Sequence, residues 1–404
     1  MSHMQCRAIG VLSAVVAALA FGTPAARAGE DAPRTPDDVR KLMTREVYAL
    51  RTAEGRAKSI GGPGGTTKGS EAAVEAGLAW LAKTQEADGS WLGGPGGDGP
   101  RYEVGITGLA LMAFLGAGYT HADGPHKAAV AKGLDWLKAN QAADGSFPKR
   151  RSFYEQGIAA IALGEAYALT QDKAVRPAAE RAILFIAGQQ PEHGGFRYQG
   201  GTTEKGGDLS VSGWQMIAMI TGFCGGVETV PEQAITRSRA LLKSAYRQDG
   251  GSVYVVGGGD NTTVSMTAVG ALCRQFLGGP EADREIQASV DYLDTRGRRV
   301  GNDGRALVGD LYYTYYSCLA LFQAGGKYWE RWNKAYRTKL VEAQEKREAD
   351  AEGRFVQGSW DPAIDAFGKG AGRVYTTAMA VLCLETPYRY ARLPRTPVRQ
   401  PADF

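Results

Sequence analysis

The sequence predicts an all-α protein, an (α/α)6 toroid of six hairpins in which each outer helix is followed by an inner helix. A two-helix unit recurs along the chain, and its closing aromatic residues Trp91, Phe147 and Phe196 are separated by 56 and 49 residues. The first helix of each unit has one apolar stripe, whereas the second is apolar on almost every side, as in a helix buried between neighbours. Such repeats are stabilised by stacking, and closing the stack into a ring leaves no exposed end, so we favour a toroid over an open solenoid.

The first unit shows the pattern most clearly. We expect Ser70 to cap an outer helix whose stripe contains Val74, Leu78 and Leu81, spaced i, i+4 and i+7. A glycine-rich loop follows, and residues 104–115 then form the first inner helix. The later outer helices are expected at 127–141, 181–190, 235–248, 286–293 and 329–345, and the inner helices begin at Tyr154, Asp208, Thr262, Asp310 and Val374.

The two ends of the chain lie outside this repeat. Residues 1–28 combine a basic start, an apolar run and the small-x-small sequence Ala26-Arg27-Ala28, which predicts a signal peptide. Residues 29–70 are expected to hold a leader helix over 35–59 and a glycine-rich linker. The toroid is assigned to 71–388 and a proline-containing tail to 389–404.

The closing loops contain a specific motif. The pattern Q-x3-G-x-[WF] occurs at 85–91, 141–147 and 190–196. It resembles the QW repeat of squalene-hopene cyclases and, more broadly, the prenyltransferase/squalene oxidase repeat family of terpenoid cyclase toroids, over residues 70 to about 386. The resemblance implies that Gln85, Gln141, Gln190 and Gln248 reach a neighbouring helix terminus and are structural.

The same resemblance implies an isoprenoid ligand, but the motifs that carry out the usual reactions of the family are absent. The D-x-D-D acid of triterpene cyclases does not occur, and its nearest local analogue is the sequence from Ser265 to Ala268. The thioester sequence G-C-G-E-Q is absent as well. All histidines lie in the first half of the chain, which argues against the zinc site of prenyltransferases. We therefore expect neither a metal nor a cofactor.

Charge and hydrophobicity restrict the molecules that the protein is expected to bind, and the positions of the cysteines indicate their chemical state. A formal net charge of +4, without a long basic run or a nucleic-acid module, argues against nucleic acid. No stretch after the predicted signal peptide reaches the length of a transmembrane helix, although peripheral membrane contact stays open. Four cysteines lie in apolar helical runs, which favours buried thiols over two disulfides: Cys224, Cys273, Cys318 and Cys383.

A carboxylate stands at or just before the start of five predicted inner helices, namely Glu103, Glu155, Asp208, Asp260 and Asp310. In a toroid these starts gather at one end, which we call the mouth. Acids at helix N-termini often only cap backbone N–H groups and oppose the dipole, each contributing ~0.3–1 kcal/mol. The functional alternative is that Asp208 and Asp310 act as acid and base across a pocket, where mutual repulsion raises one pKa.

Aromatic residues are concentrated in the first turns of the inner helices. Packing against outer helices explains some of them, and the others would line a central cavity that stacks on a ligand. The expected substrate-binding residues are Trp214, Tyr312, Tyr313, Tyr316, Tyr375, Glu103, Glu155 and Arg373.

Together these features predict an exported toroid, periplasmic or extracellular, that binds or processes an isoprenoid or other amphipathic small molecule. The alternatives are a carbohydrate-active (α/α)6 enzyme with paired carboxylates, and a non-catalytic interaction scaffold. The residues leave open whether the protein is an enzyme, and in which oligomeric state it functions.

Export gives the first testable prediction. Cleavage after Ala28 should leave Gly29 as the first residue of the mature protein, and N-terminal sequencing of the extracytoplasmic fraction measures this directly. A chain in that fraction that still begins at Met1 would contradict it.

Overall fold

A computed structural model describes residues 45–93, 102–148, 152–199, 206–227, 230–278, 282–297 and 309–393. The predicted signal peptide, the first part of the leader helix and the end of the tail lie outside the described residues. Within them the α-helices are α1 Ala53–Ser59, α2 Lys68–Lys83, α3 Glu103–Gly116, α4 Lys127–Ala139, α5 Phe153–Thr170, α6 Arg176–Gln189, α7 Leu209–Gly225, α8 Glu232–Ala245, α9 Val264–Leu277, α10 Ala282–Tyr292, α11 Leu311–Ala324, α12 Gly326–Ala343, α13 Gly368–Leu384 and α14 Thr386–Arg389. Two short strands, β1 Ser252–Val253 and β2 Thr262–Thr263, pair antiparallel before α9.

The alternation of outer and inner helices expected from the sequence is present. The inner helices α3, α5, α7, α9, α11 and α13 each contact the next, and α13 contacts α3, so the contacts run around a closed ring. In α3 every residue from Val104 to Gly116 is buried, whereas α2 is buried along one side only. The ring closes because α2 also packs against both helices of the last pair, α12 and α13.

The glutamine of the repeated motif ties successive outer helices together, as the resemblance implies. The Nε2 atom of Gln85 donates to Gly89 O in its own loop at 2.8 Å and to Ala129 O in α4 at 2.9 Å. Gln141 repeats this with Ala178 O of α6, at 3.0 Å. Gln190 reaches the Ser238 hydroxyl of α8, also at 3.0 Å. Each bond ties the loop that ends one outer helix to the next outer helix.

The glycine of the motif is required by close backbone approach. Gly89 has φ +95°, and a Cβ placed there would lie 2.5 Å from Lys132 O of α4. Gly145 and Gly194 have the same conformation, with a Cβ 2.1 Å from the carbonyl oxygens of Arg181 and Arg237 respectively. Only glycine combines the positive φ with this contact.

The fourth unit departs from the motif, and the assignment of Gln248 to it is wrong. Gly250 has φ +90° and approaches α10 as Gly89 approaches α4, which puts Tyr246 at the glutamine position and Ser252 at the aromatic position. The guanidinium of Arg274 in α9 takes over the missing indole contact. Its Nη2 donates to Leu242 O at 2.7 Å. In the first unit the equivalent carbonyl, Leu81 O, accepts from the indole of Trp91.

The last unit retains a glutamine that the sequence interpretation overlooked. Gln344 donates to Gly358 O and to Ala73 O of α2, each at 2.8 Å, and so joins the last outer helix to the first. A segment inserted between these two positions, residues 345–357, covers the junction, and we call it the strap. The indole of Trp80 in α2 donates to Phe355 O of the strap at 3.0 Å.

Three predicted boundaries differ from the structure for local reasons. Thr67, not Ser70, caps α2; Ser70 lies at N3 and completes a capping box with it. The last inner helix begins at Gly368 and is interrupted by Gly372 at φ +88°, so only its second part matches the predicted start at Val374. The leader helix, where described, is a 3-10 turn at Arg45–Tyr48 followed by α1, which Thr52 caps anew.

The leader and the predicted tail meet at the end of the ring opposite the mouth. Arg51, Glu165 of α5 and Arg389 of α14 have side chains that are 0% exposed, and Glu165 lies 2.8 Å from Arg51 and 3.1 Å from Arg389. The hydroxyl of Tyr390 donates to the same carboxylate at 2.7 Å. Residues 389–390, which the sequence interpretation placed in the tail, are therefore part of the core.

The cysteines and the helix lengths agree with the expectations. Cys224, Cys273, Cys318 and Cys383 are buried and free. None of the helices among the described residues combines the length and apolarity needed to cross a membrane.

The structural role of the closing aromatic residue can be tested with Trp91→Ala. Trp91 is fully buried, and its indole donates to Leu81 O at 2.8 Å. Removing the indole leaves a cavity and an unpaired carbonyl, so urea unfolding should show a loss of ~3–5 kcal/mol. Phe367→Ala is the control, because the Phe367 ring is 55% exposed and its loss should change the free energy of unfolding by less than about 0.5 kcal/mol. Equal unfolding midpoints for the two variants would refute the role.

Candidate functional site

The mouth is built by a hydrogen bond that recurs in four units. The backbone N–H after each closing loop donates to a hydroxyl in the first turn of the inner helix. The pairs are Trp91 with Thr107 at 3.0 Å, Phe196 with Ser212 at 2.9 Å, Ser252 with Thr267 at 3.0 Å and Trp360 with Thr377 at 3.2 Å. These bonds hold the loops against the helix starts, where the predicted carboxylates lie.

Several of these carboxylates contact the inner helix that precedes their own. Glu155 Oε1 accepts from Gly105 N of α3 at 3.3 Å. Asp310 Oδ2 accepts from the Ser265 hydroxyl of α9 at 3.4 Å, and Asp365 Oδ2 accepts from Leu311 N of α11 at 2.6 Å. The capping interpretation therefore accounts for part of what these acids do. Glu103 is the half-buried first residue of α3, and Asp260 is exposed.

Asp310 and Asp365 form a pair at the start of α11. Asp310 Oδ1 accepts from Tyr313 N at 2.8 Å, while Asp365 Oδ1 accepts from Phe367 N, also at 2.8 Å. Burial raises the pKa of Asp310, although its hydrogen bonds oppose the shift. Burial and the neighbouring charge of Asp310 raise the pKa of Asp365 to about 6, against the bonds from Leu311 and Phe367. A carboxyl with a pKa of about 6 gains and loses its proton close to neutral pH, which suits acid–base catalysis.

Asp208 lies at the N-cap of α7, but its side chain makes no capping hydrogen bond. Its carboxylate faces Arg197, with 3.7 Å between Oδ1 and Nη1. Burial raises the pKa of Asp208, and Arg197 offsets this only in part. This environment differs from that of a simple cap.

The structure brings the starts of α7 and α11 to the same end of the ring. The hydroxyl of Tyr312 in α11 donates to Ser210 O of α7 at 3.3 Å. One tyrosine side chain therefore spans the distance between the helix starts that carry Asp208 and Asp310. The carboxylate whose pKa Asp310 raises is nevertheless that of Asp365, which the sequence interpretation did not select.

The predicted aromatic residues separate into three groups. Trp214 stacks on Tyr315 with 5.7 Å between ring centroids and meets Tyr316 edge-on at 5.5 Å, so these buried rings form a floor across the interior from α7 to α11. Tyr313 instead packs against Trp332 of the outer helix α12. Tyr312 and Tyr375 are partly exposed at the mouth.

Arg373 belongs to the frame of the site. It donates to the Ser359 hydroxyl at 3.1 Å and lies 3.3 Å from Asp361. The sequence analysis expected Arg373 to bind substrate, whereas the structure shows it in an ion pair.

The mouth also contains residues that sequence reasoning missed: Asp365, Arg197, Tyr154, Tyr198 and Tyr254. Tyr198 packs on Tyr154 at 5.4 Å, and its hydroxyl is hydrogen-bonded to that of Tyr254. Asp365 completes the series of acids before inner helices, and aligning six helix starts would have revealed it. Arg197 follows the closing Phe196 directly, so the motif itself indicated its position.

A metal centre is not evident in the part of the chain that the structure describes, where no three His, Cys, Asp or Glu side chains cluster as ligands. The chemistry available there rests on carboxyl, guanidinium and phenol groups.

Comparison with known proteins supports the fold. A type II terpene cyclase from Scytonema, in complex with its substrate geranylgeranyl dihydroxybenzoate, is 14% identical, with TM-score 0.54 over 79% of this chain and 97% of that one. An unsaturated glucuronyl hydrolase specific for heparin is 13% identical, with TM-score 0.58 over 79% and 96%. An α-1,6-mannanase from Salegentibacter is 10% identical, with TM-score 0.56 over 80% and 99%. No family model and no curated protein matches the sequence.

The chain is thus mostly helical and has the toroid fold of these structures, a terpene cyclase and two carbohydrate-active enzymes among them. At these identities the likeness defines the fold, and the activity has to be argued from the mouth.

The raised pKa of Asp365 predicts a pH-dependent stability. Its unfolded pKa is near 3.9 and its folded pKa about 6, so the native state holds the extra proton and stability decreases as pH rises through this window. Asp365→Asn removes the ionisation while keeping an acceptor for Leu311 N. Urea unfolding from pH 4 to pH 7 should therefore show the wild type losing up to about 3 kcal/mol relative to the variant. Parallel curves would contradict the assignment.

Proposed function

We propose that the protein is an exported toroid of six hairpins whose mouth binds and hydrolyses a saccharide, with Asp310 and Asp365 as the acid–base pair. The observation that carries the proposal is the convergence of these two carboxyls on the start of α11, with the pKa of Asp365 raised to about 6. Glycoside hydrolysis uses a pair of this kind, one carboxyl protonated and the other ionised.

The direction of the pKa shift favours a saccharide over an isoprenoid. Protonating a glycosidic oxygen suits a carboxyl whose pKa lies near the operating pH, since it must be protonated before the step and ionised after it. Protonating an alkene calls for a stronger acid, and burial has made Asp365 a weaker one. The pair therefore fits hydrolysis better than cyclisation.

The shape and polarity of the mouth support the same choice. Trp214, Tyr315 and Tyr316 occupy the interior below it, and partly exposed tyrosines, Tyr312 and Tyr375 among them, present both a ring face and a hydroxyl. Sugars stack on aromatic faces through their apolar side and hydrogen-bond through their hydroxyls, so they use both parts of a tyrosine. A long apolar chain would use only the first.

The proposed step is a hydrolysis. The protonated carboxyl gives its proton to the glycosidic oxygen as the bond from the anomeric carbon breaks. The ionised carboxyl takes a proton from the water whose oxygen joins that carbon, or first bonds to the carbon itself. Asp310 is the more exposed of the two carboxyl groups.

Binding of an isoprenoid or other amphipathic molecule is the second candidate. The Scytonema terpene cyclase holds an isoprenoid substrate on the same fold, and Trp214, Tyr312, Tyr316 and Tyr375 supply aromatic surface that suits such a chain.

The experiment separates these functions. The mature protein is incubated with α- and β-linked oligosaccharides, neutral and acidic, and new reducing ends are measured; native mass spectrometry after exposure to a lipid extract runs in parallel. Asp310→Asn and Asp365→Asn should each lower turnover by at least ~100-fold, while melting temperatures report folding. Asp260→Asn is the matched control, because Asp260 is an exposed acid before α9. Retention of an isoprenoid without saccharide turnover would support the second candidate. If the protein neither retains an isoprenoid nor cleaves a saccharide, the scaffold is favoured.

A further inference from the structure

Arg197 stands at the mouth without a hydrogen-bonding partner for part of its guanidinium. The backbone pairs Phe196 O with Asp208 N at 2.9 Å, which sets the Arg197 side chain beside the start of α7. Its Nη1 is 3.7 Å from Asp208 Oδ1, longer than a hydrogen bond. Its Nε is buried and has no partner among the described residues. The side chain is 30% exposed, so the guanidinium nitrogens other than Nε remain open to a ligand group that pairs with the charge.

Three tyrosines lie near Asp208, the residue that faces this arginine. Tyr198 is 46% exposed, packs against Tyr154 and is hydrogen-bonded to Tyr254 through its hydroxyl. Burial raises the pKa of Tyr154 to about 12 and that of Tyr198 as well, so both hydroxyls remain protonated at neutral pH. The cluster therefore offers an exposed ring face next to neutral O–H donors and a cation.

The cluster adjoins the acid pair. Burial raises the pKa of Tyr375, and its neighbours Asp365, Asp310 and Tyr154 raise it further. Tyr154 is also among the neighbours that raise the pKa of Tyr312. Tyr312 in turn donates to Ser210 O, two residues beyond Asp208. The tyrosine cluster and the acid pair therefore lie at the same end of the ring.

We propose that Arg197, Tyr198 and Tyr254 form a subsite for an acidic sugar, in which the guanidinium binds the carboxylate of a uronic acid residue and Tyr198 stacks on its ring. The inference rests on the proposed saccharide hydrolysis and names its substrate class. A carboxylate is favoured over a sulfate ester because it is planar and matches two guanidinium N–H groups at once.

Binding of matched trisaccharides provides the test. Calorimetry measures the affinity of a galacturonate, a galactose and a sulfated galactose trisaccharide for wild type, Arg197→Gln and Arg197→Lys. The wild type should bind the galacturonate form at least ~10-fold more tightly than the neutral one. Arg197→Gln should lose that preference with little change for galactose, and Arg197→Lys should retain only part of it, because lysine keeps the charge but not the planar fork.

Controls and outcomes keep the subsite and the hydrolysis separate. Arg331→Gln removes an arginine that pairs with Asp294 on the outer helices and should bind as wild type does; melting temperatures report folding of every variant. Equal affinity of the wild type for neutral and acidic trisaccharides, with cleavage of either, overturns the subsite and leaves the hydrolysis standing. An acidic preference that depends on Arg197, without cleavage, supports the subsite and overturns the hydrolysis. Tighter binding of the sulfated form overturns the carboxylate, and failure to bind any saccharide overturns both proposals.

Discussion

The buried contact between Glu165 and two arginines is the interaction on which the ring depends at the end away from the mouth. Burial alone would raise the pKa of Glu165, but Arg389 and Arg51 outweigh it and hold the pKa at about 2. Removing one member of such a group leaves an uncompensated charge in the interior, at a cost of ~3–5 kcal/mol. Because the arginines come from the segments before and after the repeats, this contact joins both ends of the fold to one inner helix.

Three units pair the same carbonyl with different residue types. In the first and last units an indole donates to the carbonyl four residues before the glutamine, Leu81 O or Leu340 O. In the fourth unit Arg274 donates to Leu242 O from a different helix. A buried carbonyl must be paired, and any donor that reaches it serves. The residue types of the motif can therefore vary without a change of fold.

Periodicity and the glutamine motif were enough to predict the toroid, because every helix has to bury its apolar face and the motif marks where each outer helix ends. The site was harder to predict, since it depends on which helix starts face each other. Asp310 was found because it opens a regular helix, whereas Asp365 precedes one that Gly372 interrupts. Glu165 pairs with Arg51 and Arg389, which are distant in sequence, and a single sequence carries no signal for such pairs.

The strap and Gln344 have a consequence for how the chain assembles. Gln344 joins α12 to Ala73 of α2, a separation of 271 residues, and Trp80 bonds to Phe355 across 275. Contacts so far apart form only after a large loop has closed, which makes them late events in folding. During synthesis the first repeat must therefore wait, with one flank unpaired, until the last repeat emerges. That flank is where a nascent chain would be most exposed to a chaperone or to pairing with another copy of itself.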